Sequence, residues 1–442
     1  MIATFIQTEI LQALAEASWQ DYFFGFAFYY PLLMAWMWIV GGIWYYLRWE
    51  RKHRGPEHIP DSIKRPPATI LIPCFNEEAN LHEVIYYALA SEHPEFEVIA
   101  INDGSKDATA QILNELALQH PRLRVIHLAS NQGKAIALRA GAIAAKHEFL
   151  VCIDGDALLH PHALSFMVGH MASEDRVGAV TGNPRILNRS SLLGKLQVGE
   201  FSSTIGLMKR AQRVYGRIFT VSGVISGYRR AALNRIGYWD ESMITEDIDI
   251  SWRLQMDHWN IRYEPNALCY IRMPETFKGL WKQRLRWAQG GMEVMLKHDL
   301  SLFKWRRRRF WMVALEHLFS LVWSYVMFTI IVLFLLGLIF PIPEAWRVET
   351  LLPTWSGVML GVTATVQFAL SLVIDRRYEP RKRFLRNYFW VIWYPLAFWL
   401  ISLFTTVVAL PKTLLKKRGT RARWTSPDRG YRHQAKPQKV QP

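Results

Sequence analysis

Phe149-Leu-Val-Cys-Ile-Asp-Gly-Asp156 is the stretch that decides the fold. Five apolar residues end on two carboxylates set one residue apart. The run has the length of a buried strand, and the Asp-Gly-Asp stands where that strand must stop. The same rhythm recurs on either side. Ala68-Thr-Ile-Leu-Ile72, Val98-Ile-Ala-Ile101 and Val125-Ile-His-Leu128 read as strands, and Val177-Gly-Ala-Val-Thr181 as another downstream. Residues 80–90, 108–118 and 135–145 carry apolar residues at helical spacing between them. Short apolar strands alternating with helices predict an α/β domain, a mostly parallel sheet with helices on both faces.

Ligands of such sheets bind beyond the carboxyl ends of the strands. The residues that follow the strands are Pro73-Cys-Phe-Asn-Glu-Glu78, Asn102-Asp-Gly-Ser105, Asn131-Gln-Gly-Lys134 and Asp154-Gly-Asp156. None is a Rossmann or Walker phosphate loop. Alone, Asp-Gly-Asp is more often a plain turn. At a strand end its carboxylates suit a ribose and a hard divalent cation, since magnesium favours a few carboxylate oxygens plus substrate phosphates. Lys134 opens a helix, where N–H groups and an ammonium suit phosphate. Arg185, after the 177–181 strand, reads equally as a phosphate or acceptor contact and as a solvated surface residue.

A second constellation lies downstream. Trp239-Asp-Glu-Ser-Met-Ile-Thr-Glu-Asp-Ile-Asp249 sets Glu246, Asp247 and Asp249 among apolar neighbours, and carboxylates are rarely buried unless paired or used. Gln283-Arg-Leu-Arg-Trp287, read as helix, places Gln283, Arg286 and Trp287 on one face. An indole stacks on a sugar ring and an arginine grips phosphate bidentately. Singly, each run reads as an acidic turn or a basic amphipathic helix; together with the acidic sites upstream they read as a binding site for a sugar and a diphosphate.

The chain has 442 residues and a formal charge of +16; half of it is hydrophobic and a fifth charged. Such a mixture fits a soluble domain joined to membrane spans. The basic clusters 48–54, 304–309, 376–386 and 412–423 adjoin apolar runs, which points to membrane flanks rather than nucleic acid. Cys74, Cys152 and Cys269 lack metal-ligand spacing and read as reduced and buried. The expected division is an N-terminal interfacial segment at 1–22, a transmembrane helix at 23–47 with its N-terminus outside, a basic, proline-rich linker at 48–67, a soluble domain at 68–300, interfacial and transmembrane helices at 301–411, and a basic tail at 412–442. One span before the soluble domain and three after it would put the tail outside, whereas its charge argues for the inside. The side of the tail stays open, with a re-entrant last segment kinked at Pro395 as one solution.

With Asp103, Asp154/Asp156, Asp247 in Thr-Glu-Asp, and Gln283/Arg286/Trp287 in place, residues 66–297 resemble the processive family 2 glycosyltransferases, the synthases of cellulose, chitin, hyaluronan and poly-N-acetylglucosamine. Val151-Cys-Ile-Asp-Gly-Asp-Ala157, Met243-Ile-Thr-Glu-Asp-Ile-Asp-Ile-Ser-Trp252, Leu280-Trp-Lys-Gln-Arg-Leu-Arg-Trp-Ala-Gln-Gly290 and the tail Arg421-Ala-Arg-Trp-Thr-Ser-Pro-Asp-Arg-Gly430 resemble the biofilm poly-N-acetylglucosamine branch.

The resemblance implies a GT-A nucleotide-sugar fold joined to a helical membrane region, with transfer by inversion from UDP-GlcNAc to a growing polysaccharide. It implies Asp247 as catalytic base. Asp103, Asp154, Asp156, Lys134, Glu246, Gln283, Arg286 and Trp287 fall to substrate binding, and Asp156 also to Mg²⁺ or Mn²⁺. It further implies a bacterial inner-membrane setting in the lipid bilayer and a small membrane-protein partner with cyclic di-GMP regulation, with no nucleic acid. The rivals are another UDP-sugar polymer synthase, a non-processive transferase to a lipid phosphate, and a non-catalytic membrane scaffold.

Overall fold

The computed structural model describes residues 17–351, 355–379, 388–391, 394–417 and 419–422. Ile70, Ile72, Val98 and Ala100 point to one side of the strands that carry them, and Leu71, Ile99 and Ile101 to the other. Both sides are apolar, so both must be covered, and successive strand side chains alternate faces. One face takes α2 (Leu81–Leu89), α3 (Thr109–Gln119) and α5 (Ala163–Ser173); the other takes α4 (Lys134–Ala144) and α8 (Arg230–Ile236). Helix α4 comes close to the sheet because Gly141 has no side chain: a Cβ there would lie 2.8 Å from the end of Ile101.

The sheet has eight strands in the order β3-β2-β1-β4-β7-β6-β8-β5. Strands β1 (Ala68–Cys74), β2 (Phe96–Asp103), β3 (Leu123–Leu128) and β4 (Phe149–Ile153) are mutually parallel, as expected. Strand β7 (Ile225–Arg229) then runs antiparallel between β4 and β6 (Val177–Ile186). Strand β8 (Asn260–Ile271) pairs parallel to β6, and the short β5 (Leu158–Leu159) closes the edge. The expected alternation therefore covers one half of the sheet. The reversal at β7 brings the start of α9 (Glu246–Met256) beside the carboxyl end of β4.

Among the described residues, three helical segments are long and apolar enough to cross a membrane: Trp19–Glu50, Trp305–Gly337 and Trp355–Tyr378. Helix α1 (Trp19–Tyr45) continues as a π-helical turn to Glu50 and so begins four residues before the expected boundary. Ser18 and Asp21 cap it reciprocally, which fixes its start. Of the expected 1–22 interfacial segment, residues 1–16 lie outside the described residues.

Helix α7 (Met208–Tyr215) lies against α1, where Gly42 admits Leu207. Helices α11 (Trp311–Gly337) and α12 (Trp355–Asp375) form the other two candidate spans. A buried ion cluster joins the membrane helices to the sheet domain. Arg210 holds Glu50 bidentately at 2.7 and 2.9 Å and reaches Asp375 at 2.9 Å. Arg185 meets Asp375 and Glu379, each at 2.6 Å. Arg185 is 2% exposed, so it is neither the surface residue nor the phosphate contact that its position suggested.

The last apolar run does not end on the far side. Lys195 of α6 (Leu192–Glu200) stacks 4.7 Å over Trp390 in α13 (Tyr388–Val391). Helix α14 (Tyr394–Leu415) packs along α10 (Phe277–His298). At its end Lys416 binds Glu293 at 3.0 Å, and Ala422 N–H donates to the Glu241 carbonyl at 2.9 Å. Lys416, Arg421 and Ala422 are thus on the side of the sheet domain. Cys74, Cys152 and Cys269 are buried and in no disulfide.

Candidate active site

Lys134 is the hub of the site. Its Nζ lies 2.6 Å from Asp154 Oδ1 and 3.0 Å from Glu246 Oε1, and it donates to the Gly223 carbonyl at 3.1 Å. An ammonium has three donors, and these oxygens take them all. Lys134 thus ties three pieces of chain together: the end of β4, the start of α9 and the turn before β7. Burial works against its charge, yet Asp154 and Glu246 hold the ammonium above its ordinary range. Burial raises Asp154, with Lys134 opposing and Asp156 adding to the rise. Glu246 stays below the usual carboxylate range because Lys134 outweighs its burial.

Asp247 follows Glu246 in the first turn of α9. It is half-buried, and its Oδ1 accepts from the Ile248 N–H at 3.0 Å. Burial and the neighbouring Glu246 push its carboxyl up to about 6, against Lys134 and Arg286. That value suits a general base near neutral pH. Gly223 lies against it: a Cβ there would stand 3.0 Å from Asp247 Oδ2. Asp249 serves another end. Lys297, Arg253 and His298 surround it at 2.6, 2.6 and 3.3 Å, binding α9 to α10.

Asp103 acts on the backbone. Its two oxygens accept from Gln132 N–H at 2.8 Å and Gly133 N–H at 2.9 Å. Both oxygens are spent on shaping the loop that delivers Lys134.

A cavity of about 470 Å³ opens beside the hub. Lys134, Asp154, Asp156 and Glu246 form one wall, and Lys282, Leu285, Arg286 and Gln289 of α10 the opposite one. Lys282, Arg286 and Gln289 fall at i, i+4 and i+7, a helical stripe that the sequence carries in plain view. The expected face of α10 is divided. Arg286 lines the cavity; Gln283 and Trp287 do not. Trp287 packs on the core, with the Arg284 guanidinium 4.1 Å from its ring centre. Arg284 in turn pairs with Glu200 at 2.6 Å.

The third wall is the returning C-terminal segment, with Lys416, Arg421 and Ala422. Arg421 donates to Gln132 Oε1 at 2.9 Å and approaches Glu241 at 3.3 Å. Gly133 makes room for it: its φ is +95°, and a Cβ would lie 2.5 Å from the Ala422 carbonyl oxygen. Local spacing gives no sign of this wall. Its only signal is the tail motif beginning at Arg421, of which residues 423–430 lie outside the described residues.

Among the described residues no group of three or more His, Cys, Asp or Glu side chains converges as a metal cage. The cavity offers Asp154 and Asp156, with Asp154 already engaged by Lys134. One or two carboxylates facing a cavity wide enough for phosphates fit the way magnesium is usually held.

Fold and site together define a nucleotide-sugar glycosyltransferase domain joined to membrane helices. Residues 66–290 match the family model described as glycosyltransferase like family 2. A poly-beta-1,6-N-acetyl-D-glucosamine synthase of Staphylococcus epidermidis is 37% identical over 408 residues, 92% of this chain and 98% of that one. The protein of the same name from Staphylococcus aureus strain COL is 38% identical over 415 residues, with the same two coverages. Among solved structures, the mannosyltransferase PcManGT of Pyrobaculum calidifontis, in complex with GDP-Man and Mn²⁺, shares the fold at a TM-score of 0.55 and 18% identity. The match covers 89% of this chain and all of that one. The chain belongs to glycosyltransferase family 2, and it is a glycosyltransferase.

Proposed function

We propose that this enzyme polymerises N-acetylglucosamine from UDP-GlcNAc into poly-β-1,6-N-acetylglucosamine, processively and with inversion, and feeds the polymer across the bacterial inner membrane. The observation that carries the chemistry is Asp247, a half-buried carboxylate raised to about 6 beside the Lys134 hub. The sugar and linkage are taken from the relatives at 37% and 38% identity, each matched over 92% of this chain.

The catalytic domain, 68–300, faces the cytoplasm in this reading. UDP-GlcNAc enters the cavity with its diphosphate towards Arg286 and Lys282 and its nucleoside towards the 132–134 loop that Asp103 shapes. Asp154 and Asp156 hold the ribose and Mg²⁺ or Mn²⁺. The bound cation would neutralise charge on the departing diphosphate. Asp247 takes the proton from the acceptor hydroxyl as its oxygen attacks C1, while Lys134 holds Glu246 below the usual carboxylate range beside it. Trp287 and Gln283 lie off the cavity, and Trp287 supports the Arg286 face of its helix from the core. The product is hydrophilic, so the adjoining membrane helices would line its exit. A small membrane-protein partner and cyclic di-GMP control belong to the same reading.

The test uses membranes containing the full chain, with and without a co-expressed membrane partner and cyclic di-GMP. Mg²⁺ and a panel of UDP-sugars are added, and UDP release and polymer size are read. High-mass polymer from UDP-GlcNAc alone is expected. A single sugar on a lipid phosphate would overturn processivity, and polymer from another UDP-sugar would overturn the sugar assignment.

A further inference from the structure

Lys209 lies on α7 and is 6% exposed. A lysine buried so deeply is rarely left without a carboxylate in contact. Its sequence neighbour Arg210 has two, Glu50 and Asp375. Lys209 Nζ instead donates to a hydroxyl, Thr181 Oγ1, at 2.9 Å. The same Oγ1 accepts from the Ser222 N–H at 2.8 Å. Ser222 leads into Gly223, whose backbone lies against Asp247 Oδ2. From the other side, Lys134 holds the Gly223 carbonyl. The Ser222–Gly223 strip is therefore held between two lysines, Lys209 buried and Lys134 on the cavity wall. Lys134 is matched by two carboxylates; Lys209 is matched by a threonine and by the field of Asp247.

We propose that Lys209 is a positioning residue for the transfer reaction: through Thr181 it fixes the Ser222–Gly223 strip against Asp247, and it supplies positive charge behind that carboxylate. The proposal rests on Asp247 as the base. Burial pushes the Lys209 amine down to about 7, and the Asp247 charge opposes that fall. The charged and titratable groups facing Asp247 are Glu246 from α9, Lys134 from α4, Arg286 from α10, Tyr228 from β7 and Lys209 from α7. Lys134 is neutralised locally and Arg286 meets the substrate. Lys209 is the cation in this set with neither a carboxylate in contact nor a place in the cavity wall.

The experiment is the pH dependence of UDP release from UDP-GlcNAc by the full chain in membranes, for wild type, Lys209→Met, Lys209→Arg, Thr181→Val and Asp247→Asn. In Lys209→Met the acid limb of kcat should move to higher pH, because a carboxylate that loses a nearby cation holds its proton more tightly. Its kcat should fall about tenfold or more, with KM for the donor within about twofold of wild type because Lys209 does not line the donor cavity. Lys209→Arg should keep the wild-type limb. Thr181→Val keeps the charge and breaks the tether, so kcat should fall with the limb in place. A merely structural lysine would lower yield or melting temperature and leave the limb unmoved; that result in active Lys209→Met overturns the proposal. Should Lys209→Met not fold, wild-type kcat in Thr181→Val overturns it instead. An Asp247→Asn enzyme that turns over freely would remove the base assignment, and this proposal with it; loss of turnover there, with an unmoved limb in Lys209→Met, rejects this proposal alone.

Discussion

Lys134 Nζ stands 2.6 Å from Asp154 Oδ1 and 3.0 Å from Glu246 Oε1, and through these two contacts it joins the end of a parallel strand to the first turn of the helix that carries Asp247. Removing the ammonium leaves Asp154 and Glu246 facing each other without a counterion. In Lys134→Met, turnover should fall by about 10²-fold or more, as expected when a catalytic base is displaced. UDP release checks this. Near-wild-type turnover would mean that the hub is not needed to place Asp247.

The Asp247 carboxyl sits at about 6, above its ordinary 3.8. A base works ionised, so kcat/KM, which reports the free enzyme, should be high above about pH 6 and fall with unit slope below it. The sign for stability is opposite. A carboxyl raised by folding contributes stability below its unfolded value, and that contribution is lost as pH rises through the folded value. Asp247→Asn should therefore melt no lower than wild type at neutral pH while losing turnover. Thermal unfolding in detergent beside the activity assay separates the two effects.

Gly133 has φ of +95° and an Ala422 carbonyl oxygen where a Cβ would go. Gly133→Ala should displace the 416–422 wall at a cost of about 1–3 kcal/mol in backbone strain. The readout is a higher KM for UDP-GlcNAc. An unchanged KM would show that this wall does not contribute to donor binding.

Arg210, Glu50 and Asp375 are fully buried together. Breaking such a pair from one side leaves an uncompensated charge and costs about 3–5 kcal/mol. Glu50→Gln should lower the melting temperature in detergent by several degrees. A melting temperature equal to wild type would mean that the membrane helices and the sheet domain are held by other contacts.

Much of this arrangement was legible in the chain. Strand β4 and its Asp154-Gly-Asp156 stand where an apolar run meets two carboxylates, whereas the Glu246-Asp247 run, which taken singly reads as an acidic turn, opens a helix. Strand β8 was hidden. It carries Arg262, Glu264 and Pro265, which break the apolar pattern. The structure accommodates them at a register irregularity against β6 and through the His170–Glu264 contact at 2.8 Å. Strand β7 was masked by its small residues, Ile225-Ser-Gly-Tyr-Arg229, which local propensity assigns to a loop. Arg185 and Arg210, and Asp249 in its contact with Lys297, find these partners across roughly 50 to 190 residues of chain, and spacing carries no information about such pairs. The return of Lys416–Ala422 to the cavity is likewise a tertiary fact. It puts Lys416, Arg421 and Ala422 beside the sheet domain.

The most direct measurement compares wild type with Asp247→Asn in membranes supplied with Mg²⁺ and UDP-GlcNAc, following UDP release, product mass and UDP binding. High-mass polymer from wild type is predicted, with release reduced at least about 100-fold in Asp247→Asn and UDP binding retained. Polymer made by Asp247→Asn at a rate near wild type would contradict the central claim.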